Sequence, residues 1–191
     1  MRAVILNGAR KDENALDSIH DIIVDELTSI GWEVTSYTLR DHTLGHCMGC
    51  FGCWIKTPGI CRFNDDAREI ARQFMQSDLS VLFTPVTFGG YSAELKKALD
   101  RALLCLVAPF FMKINGEVHH KPRYVRYPRL MGVGVMPHAD KESEKIFKTL
   151  VKRNALNLHV PAHIAGVILS DQGEGKSRKH IKSLLTAIGV G

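Results

Sequence analysis

The fold is decided by residues 79–96, which read LSVLFTPVTFGGYSAELK. The first six residues form a short, mostly apolar run, which is typical of a strand that is buried on both faces. Pro85 is expected to close this strand, and the Gly-Gly pair at 89–90 disfavours regular structure directly after it. Ser92 is a predicted N-cap, and a helix with Leu95 on its apolar face follows. The stretch therefore predicts a strand, a loop and a helix in immediate succession.

Units of this kind recur along the chain, because short apolar runs alternate with segments of helical periodicity. Such alternation predicts an α/β fold in which a parallel sheet lies between two layers of helices. One insertion interrupts it: Asn115-Gly116 is a hairpin turn signal within residues 110–127, between the third helix and the fourth strand. The second strand is the most polar and belongs at an edge, which favours the strand order 2-1-3-4-5. The five predicted strands are residues 2–6, 32–39, 79–84, 130–136 and 162–169.

The composition limits the class of protein. The 191 residues carry 25 Lys and Arg against 20 Asp and Glu, a net charge of +5, and are expected to form one domain, residues 1–191. This mild charge does not call for nucleic acid, and no apolar run approaches the roughly 20 residues of a membrane span. The apolar run after Arg2 is too short for a signal peptide. Five cysteines at an odd count favour a reducing compartment, so we expect a cytoplasmic protein.

The loops after the first and third strands form the candidate ligand site. In open parallel sheets, ligands bind at the carboxyl ends of the strands where the strand order reverses. The first loop leads into a helix N-terminus, where free N–H groups favour an anion, and Arg10 and Lys11 add positive charge beside Gly8. The dinucleotide glycine pattern and the P-loop lysine are both absent, which favours a mononucleotide phosphate. An ordinary turn with two solvated cations remains the alternative.

The loop after the third strand suits a flat heteroaromatic ring. Thr87, Phe88 and Tyr91 offer an aromatic wall and hydroxyls, while Gly89 and Gly90 leave backbone N–H groups accessible. The alternative is a buried turn whose aromatic residues belong to the core.

Four of the five cysteines lie close together. Cys47, Cys50 and Cys53 are three residues apart, and Cys61 follows after a Pro-Gly turn. Thiolates at this spacing can hold three corners of an iron–sulfur cubane, with the fourth from a looser segment. Three alternatives remain open for these metal-site candidates: a [4Fe–4S] cluster, reduced or redox-paired thiols, and zinc. Cys105 lies on the apolar face of a helix, where a buried small residue is expected rather than a ligand.

Two stretches carry a resemblance to a known family. Residues 84–101 resemble the "P-V-Y-F/W-G…S…L-K…D-R" segment of the flavodoxin-like NADPH-dependent FMN reductase family. Residues 47–61 with Asp65-Asp66 resemble the cysteine-bearing branch of that family, which includes the iron–sulfur flavoproteins. The resemblance implies a flavodoxin-like three-layer sandwich that binds FMN and forms homodimers or homotetramers.

The implied function is an FMN-dependent oxidoreductase that takes electrons from NAD(P)H or a protein donor and reduces a small acceptor such as a quinone or flavin. An iron–sulfur flavoprotein for electron transfer and a flavin-free binding or sensing module are the alternatives. Ala9 and Ala15 stand where the family usually has Ser or Thr. Backbone N–H groups, together with Arg10, Lys11 and Asn14, are therefore expected to bind the phosphate. No general acid or base is assigned. The implied cofactor residues are Gly8, Ala9, Arg10, Lys11, Asn14, Ala15, Pro85, Val86, Thr87, Phe88, Gly89, Gly90 and Ser92.

Overall fold

The computed structural model describes residues 1–11 and 14–191, without the side chains of Asn14, Ala15 and Leu103. The strands, numbered along the chain, are β1 (Arg2–Asn7), β2 (Glu33–Thr38), β3 (Leu79–Pro85), β4 (Val107–Ile114), β5 (Glu117–Pro122), β6 (Arg129–Met136) and β7 (His163–Leu169). The helices are α1 (Asn14–Ser29), α2 (Gly52–Ile55), α3 (Ala67–Gln76), α4 (Ala93–Leu106), α5 (Lys141–Asn157) and α6 (Glu174–Ala187), with a 3-10 turn at Leu39–Asp41. None of the helices in these ranges is long and apolar enough to cross a bilayer.

Five strands form one parallel sheet in the order β2-β1-β3-β6-β7. This is the predicted order 2-1-3-4-5 once the hairpin strands β4 and β5 are counted separately, so the α/β prediction is confirmed. Every residue of β2 is exposed or half-buried, as expected of an edge strand. The order reverses between β1 and β3, so the loops after these two strands lie next to each other.

Side chains that alternate along the strands serve two cores. Val4 and Leu6 of β1 pack with α3, α4 and α5, whereas Ala3 and Ile5 pack with α1 and α6 on the other face. Since successive side chains of a strand point to opposite faces, an uninterrupted apolar run fits a strand covered on both sides. The helices therefore cover both faces of the sheet, as predicted.

The insertion is an antiparallel hairpin of β4 and β5. Its turn residues Asn115 and Gly116 have φ angles of 51° and 84°, the left-handed pair that a two-residue hairpin turn requires. Two local predictions needed adjustment. Pro85 is the last residue of β3, one residue beyond the predicted end at Thr84, and it still pairs with Val135, while the Val86 N–H donates to the Val135 oxygen at 2.9 Å. The segment around the cysteines is not wholly irregular, since residues 52–55 form one helical turn.

Candidate functional site

The loops after β1 and β3 are in direct contact. We call residues 7–11 and 85–92 together the switch-point edge. The Gly8 N–H donates to the Phe83 oxygen at 2.8 Å, which carries the pairing of the two strands into the loop. A Cβ atom on Gly8 would lie 2.6 Å from Ser92 Oγ and 2.8 Å from Leu95 Cβ. Only glycine lets the first loop approach the N-terminus of α4 this closely.

The first loop is held in shape by polar contacts to its backbone. Asn7 Oδ1 accepts from the Ala9 N–H at 2.9 Å, closing a local turn. Arg40, which follows β2, donates from Nη1 to the Arg10 oxygen at 2.9 Å and to the Ala9 oxygen at 3.4 Å. Arg40 was not predicted from the sequence, although its position after β2 is a usable signal. Residues that follow the edge strand β2 emerge at the same edge of the sheet as the loop after β1.

Positive charge gathers at this edge. Arg10 and Lys11 are exposed, and Arg40 Nη2 lies 3.7 Å from Asp17 in the first turn of α1. Arg10 Nη2 lies 3.4 Å from Thr87 Oγ1, so a side chain of the loop after β1 contacts the loop after β3. Three guanidinium and ammonium groups beside a helix N-terminus make an environment that suits a phosphate, partly offset by Asp17.

A tight turn forms the tip of the second loop. The N–H groups of Thr87 and Gly90 donate to each other's oxygens at 3.1 and 2.8 Å. Phe88 and Gly89 between them have φ angles of 48° and 76°. A Cβ on Gly89 would lie 2.7 Å from the Ile146 side chain, so the turn rests on α5. The Phe88 side chain points away from the protein and is 97% exposed.

The predicted cofactor residues divide into accessible and buried ones. Arg10, Lys11 and Phe88 are exposed at the switch-point edge, and Pro85, Val86 and Thr87 are half-buried. Ala9 and Ser92 are fully buried, so Ala9 offers only its backbone. The Ser92 hydroxyl is the predicted N-cap of α4, accepting from the Leu95 N–H at 3.3 Å. The side chains of Asn14 and Ala15 and the acidic residues 12 and 13 lie outside the described residues.

Tyr91 does not belong to an aromatic wall, and that expectation was wrong. Its ring is 8% exposed and meets Phe147 edge to face at 6.0 Å. Its hydroxyl accepts from Asn154 Nδ2 at 3.0 Å, and burial raises the pKa of this phenol. Tyr91 is therefore a core residue between β3 and α5.

The cysteine loop, residues 46–61, lies against the C-terminal half of α4. All four of its thiols line one small cavity of about 20 Å³, and Cys105 of α4 lines it too. Burial raises the pKa of Cys53 and raises that of Cys105 to about 12, and the two thiols are within hydrogen-bonding reach of each other. Within residues 1–11 and 14–191, no three His, Cys, Asp or Glu side chains are arranged as a metal-ligand set.

The donor chemistry of this cavity suits a soft metal centre, but the space is small. A volume of about 20 Å³ holds about one water molecule. A larger group needs residues of the loop to move outward. Met48, Gly49, Cys50 and Phe51 are all exposed, so their movement uncovers no core.

Arg101, whose guanidinium is buried, lines the cavity and forms an ion pair with the half-buried Asp65. Arg101 of α4 donates from Nη1 and Nη2 to the two carboxylate oxygens of Asp65 at 2.9 and 2.8 Å, and from Nη1 to the Gly45 oxygen at 2.9 Å. Burial opposes the charge on Asp65, but N–H donation from Gly45 and the Arg101 guanidinium hold the pKa of its carboxyl below the usual value. A second cavity, of about 680 Å³, lies along α3 and shares Cys61, Arg101 and Cys105 with the first.

Comparison with solved structures shows the fold. The NAD(P)H:quinone oxidoreductase from Methanothermobacter marburgensis matches 98% of this chain and 97% of its own at a TM-score of 0.66 and 12% identity. An FMN-dependent NADH-azoreductase from Bacillus anthracis, in complex with FMN, matches with the same coverage at a TM-score of 0.68 and 11% identity. Identities this low establish a shared architecture and nothing finer.

Sequence comparison identifies relatives and a family. Iron-sulfur flavoprotein MJ1083 from Methanocaldococcus jannaschii is 31% identical over 102 residues, 53% of this chain and 52% of the relative. An iron-sulfur flavoprotein from Archaeoglobus fulgidus is 35% identical over 104 residues, 54% of this chain and 46% of the relative. The chain thus spans about half the length of these curated relatives. The profile described as NADPH-dependent FMN reductase matches residues 1–125, and the chain belongs to that family.

Proposed function

We propose that this chain is an FMN-dependent oxidoreductase that uses NAD(P)H to reduce a small acceptor such as a quinone or another flavin. The supporting observation is the contact between the two loops of the switch-point edge. Arg10 of the first loop reaches Thr87 of the second across the point where the strand order reverses. This is the place where an open α/β sheet binds its ligand.

Different residues of the switch-point edge would contact the phosphate and the ring of a mononucleotide. Arg10, Lys11 and Arg40 supply charge for a phosphate beside the N-terminus of α1. Pro85 and Val86 supply an apolar surface for a ring. Because the N–H groups of Thr87 and Gly90 bind each other's oxygens, a backbone donor to the ring from this turn would come from Phe88 or Gly89. Bound FMN supplies the hydride chemistry, so the chain needs only to bind, orient and shield the ring. The family makes a nicotinamide the expected electron donor. The small acceptor and a homodimeric or homotetrameric assembly are part of the proposal.

A flavin titration tests this function. We expect the protein to quench FMN fluorescence at micromolar concentration and to oxidise NAD(P)H in the steady state. Arg10→Ala is expected to weaken FMN binding at least tenfold, a loss of about 1.4 kcal/mol. Arg153→Ala is the matched control, because Arg153 is an exposed cation that pairs with Glu117 far from this edge. Absence of quenching, or equal losses in both variants, contradicts the proposal.

A second candidate function, electron transfer through an iron–sulfur cluster, is favoured by the cavity that all four loop cysteines line. Cys47, Cys50, Cys53 and Cys61 would hold the cluster, which would supply one-electron chemistry beside the flavin. The absorption spectrum of anaerobically purified protein, before and after acid release of cofactors, separates flavin, iron–sulfur and colourless cases. Cys50→Ala is expected to abolish the non-flavin absorption and the bound iron, whereas Cys105→Ala, outside the loop, is expected to retain them. Unchanged iron in Cys50→Ala contradicts this candidate.

A further inference from the structure

Arg101 carries a donor that the fold does not use. Among the described residues, its Nε is the buried side-chain nitrogen or oxygen without a hydrogen-bond partner. The residue is 3% exposed, so the N–H is shielded from bulk water. A buried unsatisfied donor costs about 1–3 kcal/mol, and such groups are rare enough in folded proteins to need an explanation.

The ion pair with Asp65 does not explain this donor. Both oxygens of the Asp65 carboxylate are bound by the two Nη atoms of Arg101. The same carboxylate accepts from the N–H groups of Gly45 and Ala67 at 3.1 and 3.3 Å. Asp65 is therefore saturated, and the Nε–H is not needed for the contact that joins Asp65 to α4.

The surroundings of Arg101 are rich in sulfur. Arg101 lines the same cavity as all five cysteines. The Arg101 guanidinium and the Cys61 side chain are within hydrogen-bonding reach of each other. Cys53 and Cys105 are directed to each other, and the Cys61 backbone oxygen is fixed by Arg68 Nε at 2.8 Å. Cys61 is thus the cysteine whose backbone is fixed beside the Arg101 guanidinium.

We propose that Arg101 is a positioning residue of the cysteine-loop site, whose Nε–H donates to the Cys61 sulfur when that sulfur is a thiolate ligand of an iron–sulfur cluster. This inference rests on the second candidate function. A cluster with four thiolate ligands carries net negative charge. Hydrogen bonds to ligand sulfurs and nearby cations stabilise the more reduced cluster and raise its reduction potential.

Three variants separate this role from a purely structural one. Arg101→Met removes the charge and the donor, and Asp65→Asn removes the opposite charge while keeping the donor. The double variant Arg101→Met with Asp65→Asn leaves the pair neutral as in the wild type, but without the donor. It also leaves no unpaired buried charge, so it keeps the test open if a single variant folds poorly.

The readout is the midpoint potential of the cluster in anaerobically purified holoprotein, followed by visible absorption with iron content measured in parallel. We expect Arg101→Met to lower the ratio of reduced to oxidised cluster at least tenfold at the wild-type midpoint, which corresponds to 59 mV for one electron. Asp65→Asn is expected to shift the potential upward, and the double variant downward by less than Arg101→Met.

Different outcomes would contradict the role of Arg101 and the second candidate function. Shifts of the same sign in Arg101→Met and Asp65→Asn, or a double variant with the wild-type potential, show a structural ion pair only and overturn the inference. Wild-type protein that contains no iron after anaerobic purification overturns the second candidate function and this inference with it. A cluster of normal content whose potential ignores residue 101 overturns the inference alone.

Discussion

The switch-point edge and the cysteine loop are held together by different kinds of contact. At the edge, backbone pairing and buried small residues fix the shape: the Gly8 N–H binds the Phe83 oxygen, and Ser92 is fully buried as a cap. The cysteine loop is tied down mainly by side chains, such as Trp54 Nε1, which donates to the Leu104 oxygen at 2.6 Å. The strand order therefore specifies the first site, whereas the second depends on a few individual residues.

The largest effect is expected at the ion pair of Asp65 and Arg101, which lies beside the cysteine loop. Asp65→Asn leaves the 2% exposed guanidinium of Arg101 without its counter-charge. Breaking a buried ion pair from one side costs about 3–5 kcal/mol of unfolding free energy. Urea denaturation measures this loss, and Asp171→Asn on the exposed surface is the control. A loss below about 1 kcal/mol, the size typical of an exposed pair, would contradict a buried role for the pair.

The same carboxylate predicts an acid dependence. Burial opposes ionisation of Asp65, but the Gly45 N–H and Arg101 lower its pKa below the usual value of 3.8. A lowered folded-state pKa gives stability that is complete above the unfolded-state pKa and is lost as the pH falls through the folded-state value. Below about pH 4, the wild type is thus expected to lose stability more steeply than Asp65→Asn. Equal slopes in acid denaturation curves would show that Asp65 does not contribute.

A methyl group at the switch-point edge is expected to have the next largest effect. In Gly8→Ala, the new Cβ meets Ser92 Oγ and Leu95 Cβ at less than 3 Å, and both are buried. Overpacking of this kind costs about 1–3 kcal/mol. Because the two loops are pushed apart, FMN affinity is expected to fall as well. Gly175→Ala is the control, since its Cβ meets nothing within 4 Å. Equal behaviour of the two variants would mean that the loops adjust freely.

The sequence predicted the sheet because the information for it is local. Strand periodicity, the polar character of β2 and the Asn115-Gly116 turn each lie within a few residues. The general rules for parallel sheets then fix the strand order and the place where the ligand loops meet.

The contacts that define each site were harder to predict, because they join distant residues. Arg101 meets Asp65 across 36 positions, and Tyr91 meets Asn154 across 63. Phe88 and Tyr91 look equivalent in the sequence. The left-handed turn at 88–89 and the packing of α5 send one outward and the other into the core.

A smaller effect tests this assignment of Tyr91. Tyr91→Phe removes the hydroxyl that accepts from Asn154 Nδ2 and keeps the ring against Phe147. One lost hydrogen bond is expected to cost about 0.5–1.5 kcal/mol in urea denaturation, with no change in FMN affinity. A weaker FMN complex with unchanged stability would return Tyr91 to the ligand site.

The smallest effect on stability is expected at Phe88, whose ring is almost fully exposed. Phe88→Ala is expected to change the unfolding free energy by at most about 0.5 kcal/mol. Phe88→Gly is expected to stabilise the fold slightly, because glycine adopts the φ angle of 48° without strain.

A phenyl ring at this strained and solvated position is explained only by a contact outside the folded chain. If that contact is the flavin, aromatic stacking worth about 0.5–1.5 kcal/mol makes FMN bind several-fold more weakly in both variants. Wild-type FMN affinity in both variants would show that Phe88 does not contact the flavin.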